Sequence, residues 1–150
     1  MPIKYALVIL FVVVAMQGFS QIEQKAKINH TAIYVVNLQA SKHFYGQIIG
    51  LDTLADPFKD GKHAWFKTGQ NIALHVIQGA TEKKDYYKNQ HTCFSVASVQ
   101  SFKKTLQQNN INWEDVNGKM CATTTRIDGV QQIWLQDPDG YWVEINDAKF

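Results

Sequence analysis

The sequence predicts an α+β fold in which two β-α-β-β-β modules build a curved mixed sheet between them. Three observations lead there. The segment 28–41, INHTAIYVVNLQAS, returns at 89–101, with His30 answering His91, Thr31 answering Thr92, Val35 answering Val96 and Gln39 answering Gln100. A second correspondence, carried by pattern more than identity, sets 64–77 against 133–146, so that Trp65 meets Trp134 and His75 meets Glu144. Each copy opens on a strand with period-two alternation and runs into a polar-capped helix, the signature of a duplicated unit.

The first twenty residues stand outside this scheme. Lys4 precedes an apolar run over 6–16, and Gln17-Gly18-Phe19-Ser20 supplies small residues for a cleavage before Gln21. That is the layout of a secretory signal peptide. The run is shorter than the roughly 20 residues a bilayer span needs. The expected mature protein is therefore residues 21–150, exported to the periplasm or the outside of the cell, with no membrane attachment after cleavage. Its size suits one domain, with repeats at about 28–78 and 89–147. Net charge is only +2 for the whole chain, and its lysines are scattered. No basic stripe points to nucleic acid. Two cysteines, Cys93 and Cys121, are too few for a disulfide framework.

In chain order, 28–36 alternates as a strand, Asn37 caps a helix carrying Ala40, Phe44 and Ile48, and Gly50 stops it. A strand at 51–55 ends at Pro57, and Asp60-Gly61 signals a hairpin before strands at 62–68 and 71–77. Residues 79–89 form a charged linker. The second half repeats the plan: a strand at 91–97, a helix capped by Ser98, a short strand at 112–116, a long loop over 117–129, and strands at 130–136 and 141–146. The turn between those last two is Asp137-Pro138-Asp139-Gly140, where Pro presets the backbone and Gly closes it.

Strand parity sets His30, His75, His91 and Glu144 opposite the apolar faces that should pack on the helices: Thr31, Ile33 and Val35; Leu74 and Val76; Thr92, Phe94 and Val96; Val143 and Ile145. All four then face one hollow. Three imidazoles and a carboxylate suit a divalent transition ion, Zn, Ni, Fe(II), Mn or Co. Singly, a strand histidine is usually a surface or satisfied core residue; it is their placement at corresponding positions that marks these four. Tyr34, Trp65, Cys93, Trp134 and Trp142 share the hollow's side, which suits a planar or apolar small molecule and equally suits plain wall packing. His43, mid-helix, and His63, beside a turn, read as structural or exposed. Lys119 and Arg126 on the long loop are the evident cations within reach of an anionic substrate; their ordinary reading is solvated loop charge.

The paired modules, the His-Thr heads, Phe44-Tyr45 with Ile49-Gly50-Leu51, and Asp137-Pro-Asp-Gly-Tyr-Trp-Val-Glu144 together resemble the vicinal oxygen chelate superfamily. That group includes glyoxalase I, fosfomycin-resistance proteins, bleomycin-binding proteins and extradiol dioxygenases. The resemblance covers 28–147 and implies a glyoxalase-like fold around a metal site. It implies that His30, His91 and Glu144 form the common two-histidine, one-carboxylate set. His75 falls where glyoxalase-type members carry a fourth ligand, commonly glutamate. By the same resemblance the protein is a metal-dependent lyase or isomerase acting on a small oxygen-chelating substrate, with Glu144 or His75 moving the proton. An extradiol-type ring-cleaving dioxygenase is the alternative if His75 stays off the ion, and a non-catalytic binding or resistance protein is the third. Where glutathione-using members carry arginine this chain has Tyr34, which counts against a glutathione adduct. Members commonly form homodimers, in which His30 and His75 of one subunit face His91 and Glu144 of the other; an intrachain site is the competing arrangement.

Overall fold

The chain is described by a computed structural model over residues 25–149; the expected signal peptide at 1–20 and its cleavage point lie outside the described residues. The first half comprises strands β1 (His30–Val35), β2 (Thr53–Leu54), β3 (His63–Gly69) and β4 (Ile72–Gln78), with helix α1 (Leu38–His43) after β1. The second comprises β5 (His91–Ser95), helix α2 (Val99–Gln108), β6 (Thr124–Thr125), β7 (Gln131–Gln136) and β8 (Trp142–Asn146). Each half forms its own four-stranded sheet, in the orders β1-β4-β3-β2 and β5-β8-β7-β6. In both, the first strand lies parallel to the last and the others are antiparallel. The duplication predicted from two histidine-headed strands is thus complete at the level of topology.

The helices start where side chains can satisfy their orphan amides. The Asn37 side chain accepts from the amides of Gln39 and Ala40, and Ser98 accepts from that of Ser101. After α1 the chain widens into a π-helical turn, Phe44–Ile48, that puts Phe44, Tyr45 and Ile48 all in the interior. Gly50, at φ +84°, then ends it.

Both halves feed a single core. Val35, Phe66 and Val76 of the first belong to the same buried cluster as Leu106, Ile133, Leu135, Val143 and Ile145 of the second. The turn between β7 and β8 also clasps the first half. Asp139 Oδ1 accepts the Val36 amide at 2.7 Å, and Asp137 Oδ2 accepts the Tyr45 hydroxyl at 2.8 Å. Both carboxylates are buried, so the motif read as a hairpin turn is also an inter-module joint.

Two expectations need correction, and the linker makes contacts that the sequence did not show. Residues 112–116 form no strand; Glu114 makes only isolated bridges to Met120 and Trp134, and the outer strand is Thr124–Thr125, inside the segment expected to be loop. Both pieces are too short and polar to show a period in the sequence. The linker is tied down: Trp142 Nε1 donates to the Tyr86 carbonyl at 2.9 Å, and Tyr86 stacks on Tyr141 with ring centres 4.2 Å apart. Thr31 and Thr92, expected on buried faces, are exposed because β1 and β5 are edge strands.

Candidate metal centre

In the first half, β3 lies antiparallel to β4 with Trp65 directly opposite His75. The indole stacks on the imidazole, ring centres 3.8 Å apart and planes 13° off parallel. His30, on neighbouring β1, meets both edge-on, 5.2 Å from Trp65 and 5.9 Å from His75. Its Nδ1 lies 2.8 Å from Asn29 Oδ1, which holds a proton on Nδ1 and leaves Nε2 as the lone-pair nitrogen.

The second half copies this with other residues. Trp134 stands opposite Glu144 across β7 and β8, and Cys93 stands beside Glu144 on the other side. His91 meets Trp134 edge-on at 4.4 Å. His91 Nδ1 lies 3.2 Å from the Asn89 carbonyl, which holds a proton on Nδ1. His91 Nε2 is 3.3 Å from Glu144 Oε2, while Glu144 Oε1 accepts from Asn146 Nδ2 at 2.9 Å.

These contacts test whether the residues suit an ion. Ligand atoms bonded at about 2.0–2.2 Å and cis to each other sit roughly 3 Å apart, and His91 Nε2 with Glu144 Oε2 meets that spacing. Both are oriented by outer partners, as metal ligands usually are. His91 and Glu144 therefore fit a divalent ion, and His30 offers the equivalent nitrogen from the other module. The four candidates nevertheless divide into two pairs, one per module. Among the described residues no group of three or more His, Cys, Asp or Glu side chains is spaced to hold an ion.

His75 has a partner the sequence did not suggest. His63 Nδ1 lies 2.7 Å from His75 Nε2, and His63 Nε2 lies 3.5 Å from Asp60 Oδ2. Phe58 covers the pair, its ring 4.4 Å from His63 and 5.8 Å from His75. The signal was available: His63 shares parity with Trp65, so it stands diagonal to His75 once β3 and β4 are in register. The turn beside it argued for exposure, and the register was not legible.

Burial, followed by the charges of His63 and His30, holds the His75 pKa below its ordinary value of 6.5. Unfolding releases it to that ordinary value, so the unfolded chain binds the proton first as pH falls. The metal-free protein is therefore expected to keep this contribution above pH 6.5 and to lose stability from there down to the lowered folded-state pKa. Denaturant melts across that window check it, and His75→Gln should flatten the dependence.

The expected wall residues are placed as follows. Trp65 and Trp134 flank the two pairs, and both indole N–H groups are buried without a hydrogen-bond partner among the described residues. Trp134 and Trp142 lie under the Lys88 ammonium, 5.7 and 4.9 Å from their ring centres, and Lys88 is neutralised by Glu114. A cleft of about 320 Å³ is lined by these two tryptophans with Glu114 and Met120. Cys93 Sγ accepts from Asn146 Nδ2 at 3.0 Å, and burial together with the Glu144 charge pushes its thiol up to about 12. Cys93 and Cys121 are both free. Arg126 pairs with Asp128 at 2.6 Å on the surface, yet its charge still reaches Cys93. Tyr34 stands further along β1, exposed, where its amide and carbonyl both bond the Tyr141 hydroxyl at 3.2 Å.

Residues 27–145 match the Glyoxalase/Bleomycin resistance protein/Dioxygenase superfamily. The chain belongs to this superfamily. Among solved structures, it is similar to the oxidase ChaP-H2, at 18% identity over 84% of this chain and 96% of that one, with a TM-score of 0.68. A glyoxalase/dioxygenase from Nostoc punctiforme is 24% identical over 80% and 89% of the respective chains, with a TM-score of 0.66. Lactoylglutathione lyase from Agrobacterium tumefaciens is 22% identical over 83% and 95%, with a TM-score of 0.59. At these identities the likeness establishes the shared fold. Members of the superfamily usually use a divalent metal and act on small molecules.

Proposed function

We propose that this superfamily member is an exported, metal-dependent lyase or isomerase of glyoxalase type, acting on a small substrate that presents two neighbouring oxygens. The observation that carries the reading is the His91–Glu144 pair, whose ligand atoms are 3.3 Å apart and individually oriented by Asn89 and Asn146. His30 supplies the third ligand. His30 and His91 belong to different modules, and among the described residues no set of three ligands is assembled within one chain, which supports a site completed between two copies of the chain. The signal-peptide layout of residues 1–20 supports export.

A divalent ion held by His30, His91 and Glu144 supplies Lewis acidity toward the substrate's paired oxygens. The chain supplies the rest. His75, with its lowered pKa, is neutral at pH 7 and serves as general base between adjacent substrate carbons. Trp65, half-buried, and Trp134, buried, wall the site with flat apolar surface. Arg126 stands at the margin for an anionic substituent.

One observation favours a second reading. His75 Nε2 is engaged by His63, and the two-histidine, one-carboxylate triad on which the first reading also rests is of the kind that serves ferrous dioxygen chemistry, as in an extradiol-type dioxygenase. Elemental analysis of the purified chain, followed by assays on methylglyoxal–thiol adducts and on catechols under air, separates the readings. Isomerised adduct supports the first and ring-cleaved catechol the second. Stoichiometric metal with ligand binding but no turnover would leave a sequestering protein.

A further inference from the structure

We propose that the cleft beside Trp134 and Trp142 is the subsite for one part of the substrate, an uncharged aromatic ring bearing an oxygen acceptor. The inference rests on the metal site of the proposed function and names a substrate class for it. The cleft, of about 320 Å³, is bounded by residues of β7 and β8, by the segment 111–114 and by Met120. A cavity of about 150 Å³ is enough to hold benzene, so this one has room for a single substituted ring. Its walls adjoin the candidate ligands. Trp134 meets His91 edge-on at 4.4 Å and stands directly across the strands from Glu144. Trp142 stands opposite His91 in the register of β5 and β8. A ring lying against these indoles therefore begins beside the ion's ligands.

The polarity of the lining selects the ring's substituent. Trp113, Trp134 and Trp142 all line the cleft, and an indole N–H can only donate. Trp142 gives its N–H to the Tyr86 carbonyl at 2.9 Å. Those of Trp113 and Trp134 are buried and have no hydrogen-bond partner among the described residues. Buried donors are nearly always paired in folded proteins, so two orphans on one cleft call for an acceptor brought by the ligand. The charge around the cleft decides what kind of acceptor. Among the described residues lining it Glu114 is the only charged one, and Lys88 neutralises it. The Lys88 ammonium also donates to the carbonyls of Asp115 at 3.0 Å and Val116 at 3.4 Å, and lies 4.9 Å from the Trp142 ring centre. An ammonium has three donors; with all three engaged, none is left for a carboxylate or phosphate. A cationic ligand would meet the Lys88 charge across the same indoles. Both signs of charge are thus disfavoured, and a neutral carbonyl, quinone or ether oxygen matches the two free N–H groups.

The test uses three probes of similar shape on the metal-free and the Co(II)-loaded chain. They are para-fluoroacetophenone, para-fluoro-α-methylstyrene, which lacks the acceptor, and the anion para-fluorobenzoate. Fluorine NMR titrations read affinity, and nitrogen-15 spectra read the indole N–H signals, assigned with Trp113→Phe and Trp134→Phe. The ketone should move the Trp113 and Trp134 signals downfield and leave that of Trp65 in place, and Co(II) should broaden its fluorine line. The styrene should bind roughly tenfold more weakly, the effect of one acceptor on an otherwise unpaired donor, and benzoate weaker still. These wild-type affinities need no variant. Glu114→Gln keeps the shape and leaves the Lys88 charge uncompensated, so it should reverse the order of ketone and benzoate. With Co(II) bound, unmoved indole signals at saturating ketone, equal binding of the styrene, or an unchanged order in a folded Glu114→Gln would each overturn the inference alone. A chain that binds the ketone in this way but takes up no Co(II) would instead remove the proposed function, and the substrate assignment with it.

Discussion

His91→Ala is expected to weaken binding of a divalent ion by about 100-fold or more, with folding little changed. The magnitude follows from the donor count: a three-residue site stripped of one neutral imidazole keeps a nitrogen and a carboxylate, and even outer-shell losses at such sites cost about 10–100-fold. Stability should hold because His91 is exposed on edge strand β5 and its side chain, among the described residues, meets Asn89, Glu144 and Trp134. Titration of wild-type and variant with Co(II), read by absorption and beside a thermal melt, checks both halves of the claim. If the site lies between two chains, the wild-type ion should also raise the dimer fraction in sedimentation, and His91→Ala should abolish that rise. Unchanged Co(II) affinity in a folded variant would separate the histidine-headed repeat from metal chemistry altogether.

How far the sequence led depends on which periodicity was in play. Strand parity placed Trp65 on the face of His75 and Trp134 on the face of Glu144, and each pair stands directly across its strands. The two His-headed strands begin at His30 and His91, as the repeat implied. What parity does not encode is register between strands. That is why His63, two residues from Trp65 on the same face, was read as a turn residue though it touches His75. Nor does parity say which sheet strands from different modules join. The pattern placed four ligand candidates on one kind of face; the topology gives two such faces in separate sheets. Short elements were lost for a related reason, since Thr124–Thr125 is too brief to alternate.

Asp137→Ala should be the most damaging single change outside the apolar core, costing about 3 kcal/mol or more. Asp137 is buried, and its carboxylate accepts three donors: the Tyr45 hydroxyl at 2.8 Å and the amides of Asp139 and Tyr141, each at 2.9 Å. Bonds to a charged acceptor contribute about 1.5–3 kcal/mol each, and here the donors would be left buried without a partner. Tyr45→Phe removes one of the three and should cost only about 1 kcal/mol. The loss from Asp137→Ala spreads across modules, because the same turn carries Asp139 onto the Val36 amide at the head of α1. The charge itself is held at a cost. Burial raises the Asp137 pKa above its ordinary 3.8, outweighing its hydrogen bonds, which act to lower it. As pH rises through 3.8 the unfolded chain ionises first, so this residue's contribution declines from there until the folded-state pKa is passed. The isosteric Asp137→Asn should remove that decline while keeping part of the bonding. Urea melts of wild type, Asp137→Ala and Asp137→Asn from pH 3.5 to 7 would show it as a wild-type curve that loses ground to Asp137→Asn as pH rises. Parallel curves would mean that Asp137 is no less readily ionised in the fold than outside it, and the joint between modules would then be a fully compensated charge.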